Sequence, residues 1–136
     1  MKKLPILLIF ALLGTFFFSG CGKYDEGPSI SLRSRTSRIS GEWKPTKELV
    51  NSDPQTFDAN SRVKIDKGGT VTFINGSYSA TGTWAFTSND EKVTFTSTYG
   101  GFSSSTEYTI KRLSNSELFM ERQDGNDLYR FEYEKL

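Results

Sequence analysis

Few side chains in this sequence are suited to chemistry. Its 136 residues include one cysteine, Cys21, and no histidine. A Ser-His-Asp triad, a Cys-His pair and the usual His-containing zinc sites are therefore excluded. Acid-base catalysis would have to rest on carboxylates, Lys or Tyr, and the paired Glu132 and Glu134 fall on the expected solvent face of a strand. We predict that the protein is not an enzyme and needs no cofactor.

The oxygen-rich segment over residues 124–127 is the one candidate for a metal site. Its Asp-Gly-Asn-Asp sequence offers oxygen ligands, but the spacing is not that of an EF-hand loop. Gly, Asn and Asp also favour the positive φ angles of tight turns. We therefore predict a turn and no metal.

Cys21 follows a stretch that is typical of an export signal. Two lysines precede an apolar run over residues 4–18, and two small residues then lead to the cysteine. The run is shorter than the roughly 18 residues of a membrane-spanning helix. Phe18, in the third position before Cys21, argues against cleavage there by the ordinary signal peptidase. The sequence predicts a signal peptide over residues 1–20.

The sequence Phe18-Ser19-Gly20-Cys21 resembles the lipobox of bacterial lipoproteins. The resemblance implies cleavage before Cys21, a diacylglyceryl thioether on its sulfur and acylation of the new amine. Two or three acyl chains anchor a protein stably where one does not. The alternative is cleavage beyond Cys21, with no lipid. The resemblance implies a cell-envelope location, as an outer-membrane lipoprotein facing the periplasm or the cell surface.

Residues 21–40 are predicted to form the lipidated cysteine and a tether. The segment is rich in Ser and charge and has no helical periodicity. Residues 23–26 resemble the acidic sorting signals of some Gram-negative lipoproteins, and a solvated spacer is the alternative. Ile30, Leu32 and Ile39 are expected to pack on the following domain while the arginines stay solvated. Contact of these apolar and basic side chains with the membrane surface is the other interpretation.

The rest of the chain alternates apolar and polar residues, which indicates strands rather than helices. The 17 basic and 16 acidic residues nearly balance, so nothing favours binding to nucleic acid. Short Gly-, Asn- and Asp-rich turns imply antiparallel pairing, and two longer connections cover residues 51–61 and 99–105. We predict an all-β fold, a closed antiparallel meander barrel of about eight strands, because the connections are short and sequential; an open sandwich is the alternative. The predicted strands cover residues 41–50, 62–66, 70–74, 80–87, 92–98, 106–113, 117–123 and 128–134.

Gly41-Glu42-Trp43 opens the first predicted strand, and Arg130 lies in the last. In this arrangement residues 41–136 resemble a lipocalin-like domain. The resemblance implies that Trp43 packs at the closed end of the barrel beneath an arginine of the terminal strand, with Arg122 as the alternative to Arg130. Small lipocalin-like lipoproteins of Gram-negative bacteria are similar overall.

The resemblance also implies a small apolar ligand inside the barrel. The residues expected to line such a site are aromatic, and each could instead simply fill the core: Phe57, Trp84, Phe86, Phe95, Tyr108 and Tyr129. Tyr99 and Phe102, in a Gly- and Ser-rich connection, are the candidate partner-binding loop. Two hypotheses remain: a lipid-anchored carrier of a small apolar ligand, or a filled barrel that docks onto another envelope protein or a polysaccharide.

Overall fold

The computed structural model of the protein describes residues 23–28 and 30–136. The predicted signal peptide and Cys21 lie outside these residues. In the described part of the chain the strands form one continuous antiparallel sheet, preceded by the short helix α1 (Arg35–Ile39). The strands are β1 (Gly41–Val50), β2 (Asp53–Pro54), β3 (Arg62–Ile65), β4 (Thr70–Asn75), β5 (Tyr78–Thr87), β6 (Lys92–Tyr99), β7 (Phe102–Leu113), β8 (Glu117–Asp124) and β9 (Asp127–Lys135).

The sheet closes on itself because β1 pairs with both β3 and β9. From β3 to β9, each strand pairs with the next strand along the chain. The two-residue β2 pairs only with the end of β1. The result is a closed eight-stranded barrel with one short extra strand. The predicted all-β meander barrel is confirmed, and closure leaves the eight strands no long exposed edge.

Tight turns account for the short connections. The connection predicted over residues 99–105 is wrong in length, because Gly100 (φ 58°) and Gly101 (φ 85°) alone join β6 to β7. Two successive positive φ angles give the turn that matches the twist of paired strands. The serines that follow Phe102 consequently pair with β6 instead of forming a loop.

At Gly82, in the middle of β5, the neighbouring strand β6 approaches so closely that a Cβ would lie 2.0 Å from the Thr96 carbonyl oxygen.

The barrel has a closed end, where α1 and the first residues of β1 lie, and an open end, where β1 meets β2. Trp43 and Ile39 are fully buried at the closed end, and the Trp43 indole Nε1 donates a hydrogen bond of 2.7 Å to the Ile39 carbonyl oxygen. The cation over the Trp43 ring is Lys135, with its Nζ 4.6 Å from the ring centroid. Neither Arg130 nor Arg122 occupies that place, so the predicted arginine is wrong.

Arg130 lies on the outer surface because it alternates with Phe131, which faces inward. Its guanidinium forms ion pairs with Glu26 (2.6 Å), Glu121 (3.0 Å) and Glu132 (2.8 Å). It also lies 5.3 Å from the ring centroid of Phe119. Arg130 therefore joins the N-terminal segment to the outer face of β8 and β9.

The segment expected to be a tether packs closely on the barrel. Tyr24 is buried against the core, and its hydroxyl donates a hydrogen bond of 3.0 Å to the Asp90 carbonyl oxygen. Glu26 and Gly27 hydrogen-bond to the backbone of the end of β7 that extends beyond β6. Arg38, expected in solvent, is buried and donates to the Leu113 carbonyl oxygen (2.7 Å).

Helix α1 begins after Ser34, whose hydroxyl accepts a hydrogen bond from the Ser37 amide. Of the three apolar residues expected to pack on the domain, only Ile39 does so. Ile30 and Leu32 precede the helix and are 80% and 103% exposed. No helix in residues 23–28 and 30–136 has the length and apolar character needed to cross a membrane.

Candidate functional site

The inward faces of the strands enclose a small apolar cavity of about 30 Å³. This is room for one or two water molecules, whereas ligand pockets usually measure about 300–1,000 Å³. The cavity is lined by apolar and aromatic side chains from most of the barrel: Trp43, Val63, Ile65, Phe73, Phe95, Tyr108, Leu118, Met120 and Tyr133.

A column of aromatic rings fills the rest of the interior. The ring centroids of Phe73 and Phe95, of Phe95 and Tyr108, and of Tyr108 and Phe131 are each 5.8 Å apart. The first and last of these pairs are edge-to-face, an arrangement that stabilises aromatic pairs beyond their burial. The column runs towards the open end, and it makes the interior a packed core with little empty space.

A larger cleft opens at the mouth of the barrel, between β1 and the segment before β3. It measures about 140 Å³ and is lined by Pro45, Lys47, Glu48, Phe57, Ser61, Val63, Phe131 and Tyr133. The cleft exists because β1 pairs with β3 only from Gly41 to Trp43 and then continues along β9. Phe57, on the connection between β2 and β3, covers part of the resulting gap.

Val63 and Tyr133 line both the mouth cleft and the inner cavity. The two spaces are therefore neighbours, and these two side chains border both. Burial raises the pKa of the Tyr133 hydroxyl, and the charge of Glu48 adds to the effect. Burial likewise raises the pKa of Tyr108, so both phenols stay neutral at physiological pH and present an O–H donor or acceptor to the interior.

Two charged residues belong to the inward face near the mouth. Glu48 is opposite Phe131 in the β1–β9 pairing, and Arg122 is opposite Tyr129 in the β8–β9 pairing. The Arg122 guanidinium lies 4.5 Å from the Tyr129 ring centroid and 3.1 Å from an oxygen of Asp124. Its Nε is buried with no hydrogen-bond partner among the described residues. The mouth thus combines an apolar cleft, whose lining includes Glu48 and Lys47, with Arg122 on the inward face of the neighbouring β8.

The sequence-predicted site residues separate into two groups. Phe95 and Tyr108 line the inner cavity, and Phe57 lines the mouth cleft. Trp84 and Phe86 line neither space: they form an edge-to-face pair near the closed end, with the Trp84 indole Nε1 bonded to the Asp66 carbonyl oxygen (2.7 Å). Tyr129 also lines neither space and carries the Arg122 guanidinium on its ring.

Most of the residues that line the two spaces were not among the predicted site residues, and four of those near the mouth are Val63, Tyr133, Glu48 and Arg122. Alternation from Tyr129 places Tyr133 on the same face of the last strand, so the sequence does carry a signal for it. Alternation from the buried Met120 would also have placed Arg122 on the inward face of β8. Glu48 could not be found in this way, because an irregularity in pairing between Pro45 and Lys47 changes the faces of the residues that follow.

Residues 23–28 and 30–136 contain no group of three or more Asp, Glu, Cys or His side chains arranged to hold a metal ion. The Asp124–Asp127 segment forms the β8–β9 turn, with Gly125 at φ 61°. The carboxylates on the outer face of β8 and β9 are engaged with arginines and lysines. The site in the described residues is thus an apolar space with charged groups at its entrance.

The fold and the site together define a small up-and-down barrel whose interior is filled by side chains and whose mouth carries an accessible cleft. The sequence profile of the "Lipocalin-like domain" family matches residues 39–120, more than half of the 136-residue chain. The chain belongs to this family of lipocalin-like domains. The match begins at Ile39 in α1, so it includes the Trp43 closure of the barrel.

The solved structures with a similar fold include the crystal structure of an LTBP1 mutant in complex with leukotriene C4. The similarity has a TM-score of 0.52 and 12% sequence identity, and covers 85% of this chain and 78% of that one. At this identity the likeness concerns the fold alone. No curated protein sequence matches the chain significantly.

Proposed function

We propose that the protein is a lipid-anchored, cell-envelope lipocalin-like protein that binds a slender apolar molecule through the mouth of the barrel. The carrying observation is the mouth cleft of about 140 Å³, which shares the lining residues Val63 and Tyr133 with the inner cavity. Rotation of the Tyr133 ring would join the two spaces into one narrow channel. The binding of leukotriene C4 by the similar LTBP1 barrel supports a ligand of lipid character.

The size and chemistry of the mouth define the ligand class. The combined space is well below that of usual ligand pockets, so a single unbranched acyl chain fits better than a ring system. An apolar chain would enter beneath Phe57 and contact Phe131, while its polar end stays at the entrance. There Glu48 and Lys47 line the cleft, and Arg122 lies on the inward face of β8 near the same end, so both signs of charge are present for that polar end.

Tryptophan fluorescence tests the binding of such a chain. Trp43 lines the inner cavity, so its emission should change when single-chain fatty acids or alcohols of increasing length enter. Val63→Phe fills the space where the cleft meets the cavity and should abolish the change, whereas Phe102→Ser, at a turn that lines neither space, should leave it intact. Binding that is unaffected by Val63→Phe, or no response to any chain length, would count against this function.

The anchoring part of the proposal rests on the resemblance of residues 18–21 to a lipobox. Intact mass spectrometry of the protein from its membrane fraction should give the mass of a chain that begins at Cys21 and carries acyl groups. A processed Cys21→Ser chain that stays in the membrane would argue against lipidation. This measurement is independent of ligand binding, so either part of the proposal can fail alone.

A second candidate function is favoured by the small volume of the inner cavity. A barrel whose interior holds about 30 Å³ of empty space could act solely through its surface, as a module that docks onto another envelope protein or a polysaccharide. Phe102, 85% exposed at the β6–β7 turn, is the best-placed aromatic contact. Cross-linking of one specific partner that is lost in Phe102→Ser, without any fluorescence response to acyl chains, would favour this function.

A further inference from the structure

The segment between the docked N-terminus and α1 presents two apolar side chains to solvent at the closed end of the barrel. Ile30 is 80% exposed and Leu32 is 103% exposed. Together with Pro28 and Arg33 they border a groove next to the β7–β8 turn at Ser114 and Asn115. Fully exposed aliphatic side chains that sit together mark a site of contact with a partner or a membrane.

This segment is held at both of its ends. Before it, the Gly27 carbonyl oxygen accepts a hydrogen bond of 3.2 Å from the Leu113 amide, and the Glu26 amide donates one of 2.8 Å to the Lys111 carbonyl oxygen. After it, α1 is fixed by the burial of Arg38 and Ile39. The two aliphatic side chains therefore project from fixed points and do not belong to a long free tail.

The position of Tyr24 limits how far Cys21, outside the described residues, can lie from the closed end. Tyr24 is bonded to Asp90 in the β5–β6 turn at the closed end. Cys21 is three residues before Tyr24, and three residues of fully extended chain span at most about 11 Å. Acyl chains on Cys21 would thus enter a bilayer close to the surface from which Ile30 and Leu32 project.

We propose that Ile30 and Leu32 insert into the lipid surface to which Cys21 is anchored, with Arg33 at the level of the lipid head groups. Aliphatic side chains gain free energy when they leave water, and a cation beside them matches the anionic lipids of a membrane surface. The proposal deepens the proposed anchoring, because it fixes how the barrel stands on the membrane.

The orientation follows from the barrel. β1 and β5 are each ten residues long, and a strand rises about 3.3 Å per residue. Allowing for strand tilt, the mouth and the β6–β7 turn stand roughly 25 Å from the lipid surface. The closed end then contacts lipid, and the mouth cleft stays accessible from the aqueous side.

Site-specific fluorescence tests this orientation. The natively processed protein is placed in phosphatidylethanolamine–phosphatidylglycerol vesicles that contain brominated phospholipid, with a tryptophan introduced by Leu32→Trp or, in a second variant, by Ile30→Trp. Phe102→Trp, at the opposite end, is the matched control. The wild-type Trp43 and Trp84 are buried and give the common background.

The expected result is a blue shift of the emission and strong quenching by bromolipid for Leu32→Trp and Ile30→Trp, with no added quenching for Phe102→Trp. Quenching of both closed-end variants equal to that of the control would overturn the proposal. A blue shift without bromolipid quenching would also overturn it, because it would place the segment against protein. The mass of the protein reports separately on Cys21, so a failed orientation and a missing lipid anchor give different outcomes.

Discussion

Lys135, at the end of β9, contacts the junction between α1 and β1. The substitution Lys135→Met should therefore test which interactions stabilise the closed end. The Lys135 Nζ donates hydrogen bonds to the carbonyl oxygens of Arg38 (2.6 Å) and Ser40 (2.8 Å). It also lies 4.6 Å from the ring centroid of Trp43. Methionine keeps most of the aliphatic stem and removes the charge and its donors, so the variant isolates these polar contacts.

The expected loss follows from those contacts. A hydrogen bond from a charged donor contributes about 1.5–3 kcal/mol, and a cation over an indole adds roughly 0.5–2 kcal/mol. Against these gains stands the desolvation of the ammonium, which lowers the pKa of Lys135, with the charge of Arg33 as a smaller cause. The balance predicts that Lys135→Met lowers the free energy of unfolding by about 2–4 kcal/mol.

Urea unfolding at pH 7, followed by tryptophan fluorescence, measures this loss. Lys44→Met is the matched control, because Lys44 lies on β1 and makes only an exposed ion pair of 3.8 Å with Glu134. The control should cost no more than about 0.5 kcal/mol. If Lys135→Met and Lys44→Met cost the same, the closed end is held by burial alone and the assigned role of Lys135 is incorrect.

Three further predictions concern the sheet and the docked N-terminus. Gly82→Ala should destabilise the barrel by roughly 3 kcal/mol or more, because its Cβ would lie 2.0 Å from the Thr96 carbonyl oxygen; a neutral result in thermal unfolding would contradict the close β5–β6 approach. Hydrogen bonds from Arg130 lower the pKa of Glu26, so the stability from this pair is present above the ordinary pKa of 4.5 and lost as the pH falls through the lowered value. Glu26→Gln should therefore flatten the acid side of the stability–pH profile, and an unchanged profile would show that the pair contributes nothing. Burial raises the pKa of Tyr24 to about 12 from 10.0, so stability should fall as the pH rises from 10 to 12. Tyr24→Phe should reduce that slope in urea titrations, and the raised pKa values of Tyr108 and Tyr133 account for the rest of it; an unchanged slope would contradict the burial of the Tyr24 hydroxyl.

Alternation was sufficient to predict most of the barrel. The predicted bounds of the first strand, residues 41–50, agree with β1, because apolar and polar positions and the flanking residues mark both ends. The start of β7 was missed, since the serines after Phe102 have low strand propensity and are ordered by their pairing with β6. The strand conformation of these serines therefore comes from their pairing with β6 and not from their own preference.

The N-terminal segment was harder to predict because its order depends on distant partners. Helix α1 has five residues, too few for a periodic pattern to be detected. It is held by burial of Ile39 and by the bond of Arg38 to Leu113, which lies 75 residues away. Tyr24 and Glu26 likewise find their partners on β7, β9 and the β5–β6 turn. The composition of the segment resembles that of a spacer, and only these contacts distinguish it from one.

The site depended on two irregularities that alternation cannot foresee. The irregular pairing between Pro45 and Lys47 turns Glu48 inward, and the same stretch of β1 leaves β3 and follows β9. Together these features open the mouth cleft and place a charge inside it. The cation over the Trp43 ring could not be predicted either. Alternation with the inward-facing Phe131 puts Arg130 on the outer face, but it does not indicate that Lys135 lies over Trp43.

The two ends of the barrel therefore carry separable tasks. The closed end holds the fully buried Trp43 and Ile39 and the polar contacts of Lys135, so substitutions there should act mainly on stability. The mouth is bounded by Phe57, on the β2–β3 connection, and by Glu48, which follows the irregular pairing in β1. Connections and irregular stretches of strand tolerate changes of side chain better than the regular sheet does. Substitutions at the mouth should thus change the proposed ligand entry at little cost in stability. A barrel built in this way can adapt its entrance without loosening the packed interior that closes it.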